Sequence, residues 1–193
     1  MDGAEYTLAA KEDLRAELSA RRRARTPEQL ELARAAIRRT AVDRAAGFEC
    51  VAAYLPLRTE PGSVELLAAL DARGTRVLVP VTLPDRDLDW VRWPAEADAP
   101  AERLGRDAIG AAGLVLVPAL AVALTGARLG RGGGSYDRAL QRIAPAAQIV
   151  ALVFEDEVRD TLPTDPWDVP VSAAITPSGW VELRGNADFP SPR

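Results

Sequence analysis

The sequence contains no histidine and only one cysteine, Cys50. Without imidazole, histidine-based acid–base catalysis and histidine metal ligation are excluded. A lone cysteine excludes a disulfide framework, and Cys50 sits inside an apolar run, where a thiol acts as an inert core residue. Positive charge is not in excess either: the formal net charge is −4. That balance argues against a nucleic-acid or anionic-membrane partner. No apolar span reaches 18 residues, and the polar start "MDGAEYTLAAKEDL" offers no cleavable leader. A cytoplasmic protein working as a monomer is expected.

What remains is ordinary globular material. With 193 residues, 48% hydrophobic and 27% charged, the chain can bury a good core in one domain spanning 1–193. Arginine is dense in the first 40 residues, as in "RAELSARRRARTPEQLELARAAIRR". Taken alone, that stretch reads as two solvated helices.

Those helices are expected over 7–25 and 27–46, packing on the rest of the domain. "RTPEQLE" supplies Thr26 as N-cap, Pro27 at the first helical position and Glu28 in the first turn. "FECVAAYLPL" (48–57) predicts a buried strand ending at Pro56. A helix follows over 62–74, capped by Ser63 and stopped by Gly74. "TRVLVPV" (75–81) and "LDWVRW" (88–93) predict strands, and the Pro/Ala-rich 94–108 a loop. "GLVLVPAL" (113–120) is a strongly apolar strand. A helix from about Ser135 to Ile143, a strand over 148–154, and "AAIT" and "WVEL" complete the pattern. Strands apolar on both faces and alternating with helices predict an α/β fold: a three-layer α/β/α sandwich with a mostly parallel central sheet, preceded by an N-terminal helix pair.

Chemistry concentrates in "ARLGRGGGSYDRAL", Ala127 to Leu140. Ligands of open α/β sheets sit beyond the carboxyl ends of strands, where a loop enters a helix. Gly130, Gly132, Gly133 and Gly134 permit close backbone approach to an anion, and the helix start adds N–H donors. Arg128 and Arg131 add charge that a connector does not need. Asp137 either holds a magnesium ion or complements the helix dipole. The pattern is neither a Walker loop nor a dinucleotide fingerprint, so glycine richness alone leaves a phosphate site and a structural turn equally open.

The segment "VPALAVALTGARLGRGGGSYDRAL" (117–140) resembles the R-L-G-x-G-x-G-[YS]-Y-D-R-x-L motif of the 5-formyltetrahydrofolate cyclo-ligase family, which follows a V-P-x-L strand end. "KEDLR", "AAYLPLRTEP", "RVLVPV" and "LPTDPWDVPVSAAITPSG" resemble further family segments in the same order. The resemblance implies closure of 5-formyltetrahydrofolate to 5,10-methenyltetrahydrofolate with ATP and Mg²⁺, through phosphorylation of the formyl oxygen. It implies that Lys11 and Arg15 reach the nucleotide phosphates, although alone they read as a solvated helix face. Arg128, Gly130, Arg131, Gly132, Gly133, Gly134 and Ser135 would cradle phosphate, with Arg128, Arg131 and Tyr136 acting in catalysis. Tyr54, Glu60 and Tyr136 would contact the folate, and Asp137 would position magnesium.

Departures from the family pattern fall at Ala123 (usually Asp), at Trp167–Asp168 (usually His–Asp), at Ser135 (usually Tyr), and in a shortened 94–108 segment. They keep three readings open: a folate cyclo-ligase, a relative that uses ATP to activate another amide or carboxylate in specialised metabolism, or a weakly catalytic binding protein.

Overall fold

The computed structural model describes residues 3–94 and 102–183. Its elements run α1 (Gly3–Ala24), α2 (Pro27–Arg44), β1 (Cys50–Ala52), α3 (Val64–Asp71), β2 (Arg76–Thr82), β3 (Leu88–Trp93), β4 (Leu114–Pro118), β5 (Ala121–Ala123), β6 (Arg128–Leu129), α4 (Ser135–Ala139), β7 (Gln148–Leu152), β8 (Val158–Arg159), β9 (Ala173–Thr176) and β10 (Gly179–Glu182). Seven strands form one sheet in the order β10-β9-β7-β4-β1-β2-β3. The five inner strands are parallel, and the edge strands β10 and β3 are antiparallel to their neighbours. The expected mixed α/β fold with a mostly parallel sheet is what the chain forms.

Both faces of the central strands are buried, and the side chains divide by strict alternation. Val51, Val77, Val79, Leu114 and Leu116 pack with Ile37 of α2 and Leu66, Leu67 and Leu70 of α3. Ala52, Leu78, Val115, Val117 and Ala151 pack on the opposite face with Ala139 and Leu140 of the α4 region and with Ile109. Cys50 is buried in this second cluster, as its apolar surroundings predict.

The helix signals operate as expected. Thr26 and Gln29 exchange bonds at the start of α2: the Thr26 hydroxyl accepts from the Gln29 amide at 3.3 Å, and the Gln29 side chain accepts from the Thr26 amide at 2.9 Å. Ser63 caps α3 through the Leu66 amide at 3.2 Å. Pro27 occupies the start of α2, where a missing N–H costs nothing.

Four expectations require correction. The strand read over 48–57 is only Cys50–Ala52 long; the Ala53 amide still donates to Leu78, and the chain leaves the ladder there, before Pro56, which has no N–H to extend it. The helix read over 62–74 is Val64–Asp71. The loop read over 94–108 contains the start of a 3₁₀ helix, Arg106–Ala111, while residues 95–101, including much of the segment read as shortened, lie outside the described residues. A second small sheet, β6-β5-β8, was not foreseen. It separates the two N-terminal helices: α2 covers the main sheet, whereas Leu18 of α1 packs on Leu120, Ala121 and Leu129 of the small sheet region.

Candidate functional site

Chain direction across the main sheet reverses between β1 and β4. From β1 the chain crosses through α3 to β2 on one side; from β4 it crosses through α4 to β7 on the other. A crevice is left at the carboxyl ends of β1 and β4, where open α/β sheets bind ligands. A cavity of about 750 Å³ occupies it, with Tyr54 and Glu60 from beyond β1, and Pro118, Ala119 and Leu120 from β4, in its wall. The glycine loop does not follow β4 directly, as read from the sequence. The hairpin β5–β6 intervenes and returns the chain, with the Leu120 amide donating to Leu129 at 2.7 Å. Gly130 to Gly134 therefore still border the same cavity.

Two loop glycines adopt conformations that suit no other residue well: Gly132 has φ +93° and Gly134 φ +67°. The loop is surrounded by cations, and each is oriented by a specific partner. Arg15 Nε donates to the Gly130 carbonyl at 3.0 Å. Arg128 Nη2 meets Asp137 Oδ1 at 2.6 Å, and the Val169 amide donates to that same oxygen at 3.3 Å. Arg131 Nε lies 3.3 Å from Glu60 Oε1. Arg15 has only a neutral acceptor: among the described residues it forms no ion pair, so its charge is the least compensated of the five lining cations.

The opposite wall is the 54–60 loop. The Leu57 amide donates to Glu60 Oε2 at 2.8 Å, which fixes the carboxylate toward Arg131. Arg34 of α2 clamps this loop from behind by donating to the Leu57, Arg58 and Glu60 carbonyls. Burial pushes the Tyr54 hydroxyl far above the usual phenol range, and nearby Glu60 acts in the same direction. Burial also raises Tyr136, against the opposing charge of Arg128. Both phenols are therefore protonated donors at neutral pH. Neither hydroxyl makes a well-aligned hydrogen bond among the described residues, the Gly62 backbone acting on Tyr54 only weakly, and Arg128 Nε is likewise buried and unpaired. Orphaned donors in a polar cavity call for a ligand rich in acceptor oxygens.

The third wall holds Lys11, which was expected here, and partners that were not. Lys11, the sole lysine of the sequence, is buried and holds two carboxylates at once, Asp165 Oδ2 at 2.6 Å and Asp168 Oδ2 at 2.7 Å. Burial alone would depress its ammonium, but the hydrogen bonds to Asp165 and Asp168 outweigh it and leave the pKa above the ordinary lysine value. Arg22 also lines the cavity, where the Arg-rich stretch was read as solvated. Its side chain is 2% exposed, bonded to both oxygens of Glu157 at 2.7 Å and to the Ala119 carbonyl at 2.6 Å. Lys11, Arg15, Leu18 and Arg22 recur at helical spacing on one face of α1, a pattern the sequence did contain. Their carboxylate partners more than 130 residues away left no local trace.

Every candidate site residue named from the sequence borders this one cavity: Lys11, Arg15, Tyr54, Glu60, Arg128, the loop Gly130–Gly134, Ser135, Tyr136 and Asp137. Ala123 does not. It is fully buried in β5, in register with Arg159, away from the lining residues. Trp167, by contrast, stands at the rim and is 66% exposed.

The cradle fits a polyphosphate. A side chain added at Gly130 would meet Arg128 Nη1 at 3.1 Å, and one at Gly132 would meet Arg15 Cζ at 3.3 Å, so the bare backbone is what brings the guanidinium groups to the loop. For a metal the chain offers less: among the described residues no group of three acidic or thiol side chains converges. Asp137 Oδ1 is already engaged, and a magnesium ion here would draw most of its oxygens from the phosphates themselves.

A mostly parallel sheet with a cationic glycine loop at its switch point is the arrangement in which the α/β class of proteins places its ligand sites. Comparison with known proteins narrows the class. The sequence profile of the 5-formyltetrahydrofolate cyclo-ligase family matches residues 7–177. A 5-formyltetrahydrofolate cyclo-ligase of Mycolicibacterium smegmatis is 43% identical over 149 residues, covering 69% of this chain and 77% of the relative. One from Escherichia coli is 31% identical over 173 residues, covering 82% and 95%. Among solved structures, a 5,10-methenyltetrahydrofolate synthetase from Mycoplasma pneumoniae superposes with a TM-score of 0.74 at 20% identity, over 86% of this chain and 98% of that one. Another, from Aquifex aeolicus, gives 0.69 at 24% identity over 95% and 96%. These two likenesses bear on the fold. The chain belongs to the 5-formyltetrahydrofolate cyclo-ligase family of enzymes.

Proposed function

We propose that this protein closes 5-formyltetrahydrofolate to 5,10-methenyltetrahydrofolate, using ATP and Mg²⁺ and releasing ADP and phosphate. The observation that carries the reading is the convergence of the phosphate-type cations and the Tyr54–Glu60 wall on a single cavity. An amide oxygen is a poor leaving group. Its attack on the γ-phosphorus of ATP expels ADP and converts it into a phosphate ester, after which N10 of the folate attacks the formyl carbon, gives up its proton to solvent, and phosphate departs with the formyl oxygen. Magnesium, when bound, neutralises charge on the phosphates.

The protein's part is positioning and charge neutralisation. Arg15 and the glycine backbone hold the phosphate tail, while Arg128, steadied by Asp137, and Arg131, steadied by Glu60, face the transferred group. Lys11 reaches the nucleotide from α1. Tyr136 and Tyr54 donate to acceptor atoms of the folate, and Glu60 sits near its reacting end. Ser135 follows the loop and lies beside the phosphates.

The test is the appearance of methenyl absorbance when purified protein, 5-formyltetrahydrofolate and Mg-ATP are mixed. Turnover that stops on chelation of Mg²⁺ is expected; no turnover at micromolar enzyme rejects the folate assignment. One observation favours a second reading, ATP-dependent activation of a different amide or carboxylate: Trp167 stands at the rim where the family usually has histidine. ATP binding without folate turnover would support it.

A further inference from the structure

Trp167 lies at the apex of a turn closed by the Asp165 amide, which donates to Asp168 Oδ2 at 2.9 Å. The two carboxylates flanking the indole are the two that hold Lys11. Leu8, three residues before Lys11 on α1, is 57% exposed and borders the same cavity. A tryptophan two-thirds exposed at the rim of a polar cavity presents an indole face to whatever the cavity binds. The other exposed apolar residues of the rim, Leu55 and Leu57, belong to the Glu60 wall, at a different part of the chain. The rim therefore carries exposed apolar groups next in the chain to the Lys11 triad, Trp167 and Leu8, and others on the Glu60 wall.

We infer that Trp167, with Leu8, is the platform for the nucleotide's purine base. This rests on the ATP reading above and deepens it. A ligand whose phosphates lie along Lys11, Arg15 and the glycine loop carries its ring at the end away from the transferred group. The apolar surface beside Lys11 is that of Trp167 and Leu8. An indole offers a broad π face on which a purine stacks, and such stacking tolerates replacement by phenylalanine better than by alanine. Trp167 thereby reads the base rather than the phosphates, and stands as a specificity residue for the nucleotide.

The experiment is a pair of equilibrium titrations, with ATP and with inorganic tripolyphosphate, on wild type, Trp167→Ala and Trp167→Phe. ATP affinity is expected to fall about tenfold in Trp167→Ala and to recover in Trp167→Phe, while tripolyphosphate affinity stays unchanged. ATP should also quench part of the wild-type tryptophan emission and lose that effect in Trp167→Phe. Unaltered ATP affinity in Trp167→Ala overturns the inference while leaving the ATP reading intact. So does an equal loss for ATP and tripolyphosphate, or a loss confined to 5-formyltetrahydrofolate measured without nucleotide. Failure of wild type to bind either polyphosphate removes the nucleotide reading and this inference with it. Melting curves of the three proteins confirm that an exposed position has been changed without unfolding the chain.

Discussion

At Gly132 the backbone holds φ +93°, and an added Cβ would stand 3.3 Å from the Arg15 guanidinium carbon. Gly132→Ala therefore combines about 1–3 kcal/mol of local backbone strain with displacement of Arg15. Reduced ATP affinity is expected, read by calorimetric titration, with only a small fall in melting temperature because the loop lies outside the core. Arg131 makes a different contribution. Its side chain is 52% exposed and its one described ion pair is with Glu60, so truncation leaves the fold alone. Arg131→Ala should lower kcat about a hundredfold, the scale of losing one preorganised charge donor at a reacting group. Steady-state kinetics with both substrates decide it: unchanged kcat would remove Arg131 from the transfer step. The loop glycines and arginines were legible in the sequence because they are contiguous. Lys11 was legible only through resemblance, since nothing near it in the chain announces Asp165 and Asp168.

Helix α1 is tied down by the buried pair of Arg22 with Glu157, whose side chains are 2% and 1% exposed. The pair joins α1 to the turn before β8 and to the end of β4 through the Ala119 carbonyl. Removing one member leaves the other charged and buried, so Glu157→Leu should cost about 3–5 kcal/mol in chemical denaturation. The double variant Arg22→Met with Glu157→Leu should recover most of that, because a well-packed apolar pair carries no desolvation penalty. At the start of α2 the reciprocal Thr26–Gln29 cap is exposed and local; Thr26→Ala should cost about 1 kcal/mol. Elements with local signals, such as this cap and the runs "RVLVPV" and "GLVLVP", could be read from the residues alone. The small sheet could not. Its strands are two or three residues long, too short for an alternation to show, and they are specified by pairing with distant segments. The antiparallel entry of β3 follows from the short connection after Thr82, since a parallel crossover needs a dozen residues or more.

Across the whole molecule, acid sensitivity centres on Asp87. It accepts from Arg142 Nη2 at 2.6 Å, from Arg106 Nη1 at 3.1 Å and from the Leu88 amide at 2.8 Å, joining the β2–β3 turn to the 3₁₀ helix and to the segment after α4. The Arg142 bond leads in holding its pKa below the ordinary aspartate value, against burial, which opposes. A depressed folded value means stabilisation that is complete above the unfolded value of about 3.9 and lost as pH falls through the folded one. Unfolding free energy should therefore drop on acidification below about pH 4, and Asp87→Asn should flatten that part of the profile while lowering stability at neutral pH. The tie between Lys11 and Asp165, 154 residues apart, has one further consequence, which concerns the birth of the protein. A nascent chain that has displayed α1, strands β1, β2, β4 and β7 and even the glycine loop still lacks the segment that closes Lys11 into place. The cavity wall is completed only when a segment 154 residues beyond Lys11 has been made, so a product truncated before it has an open, unpaired lysine where a longer one has a wall.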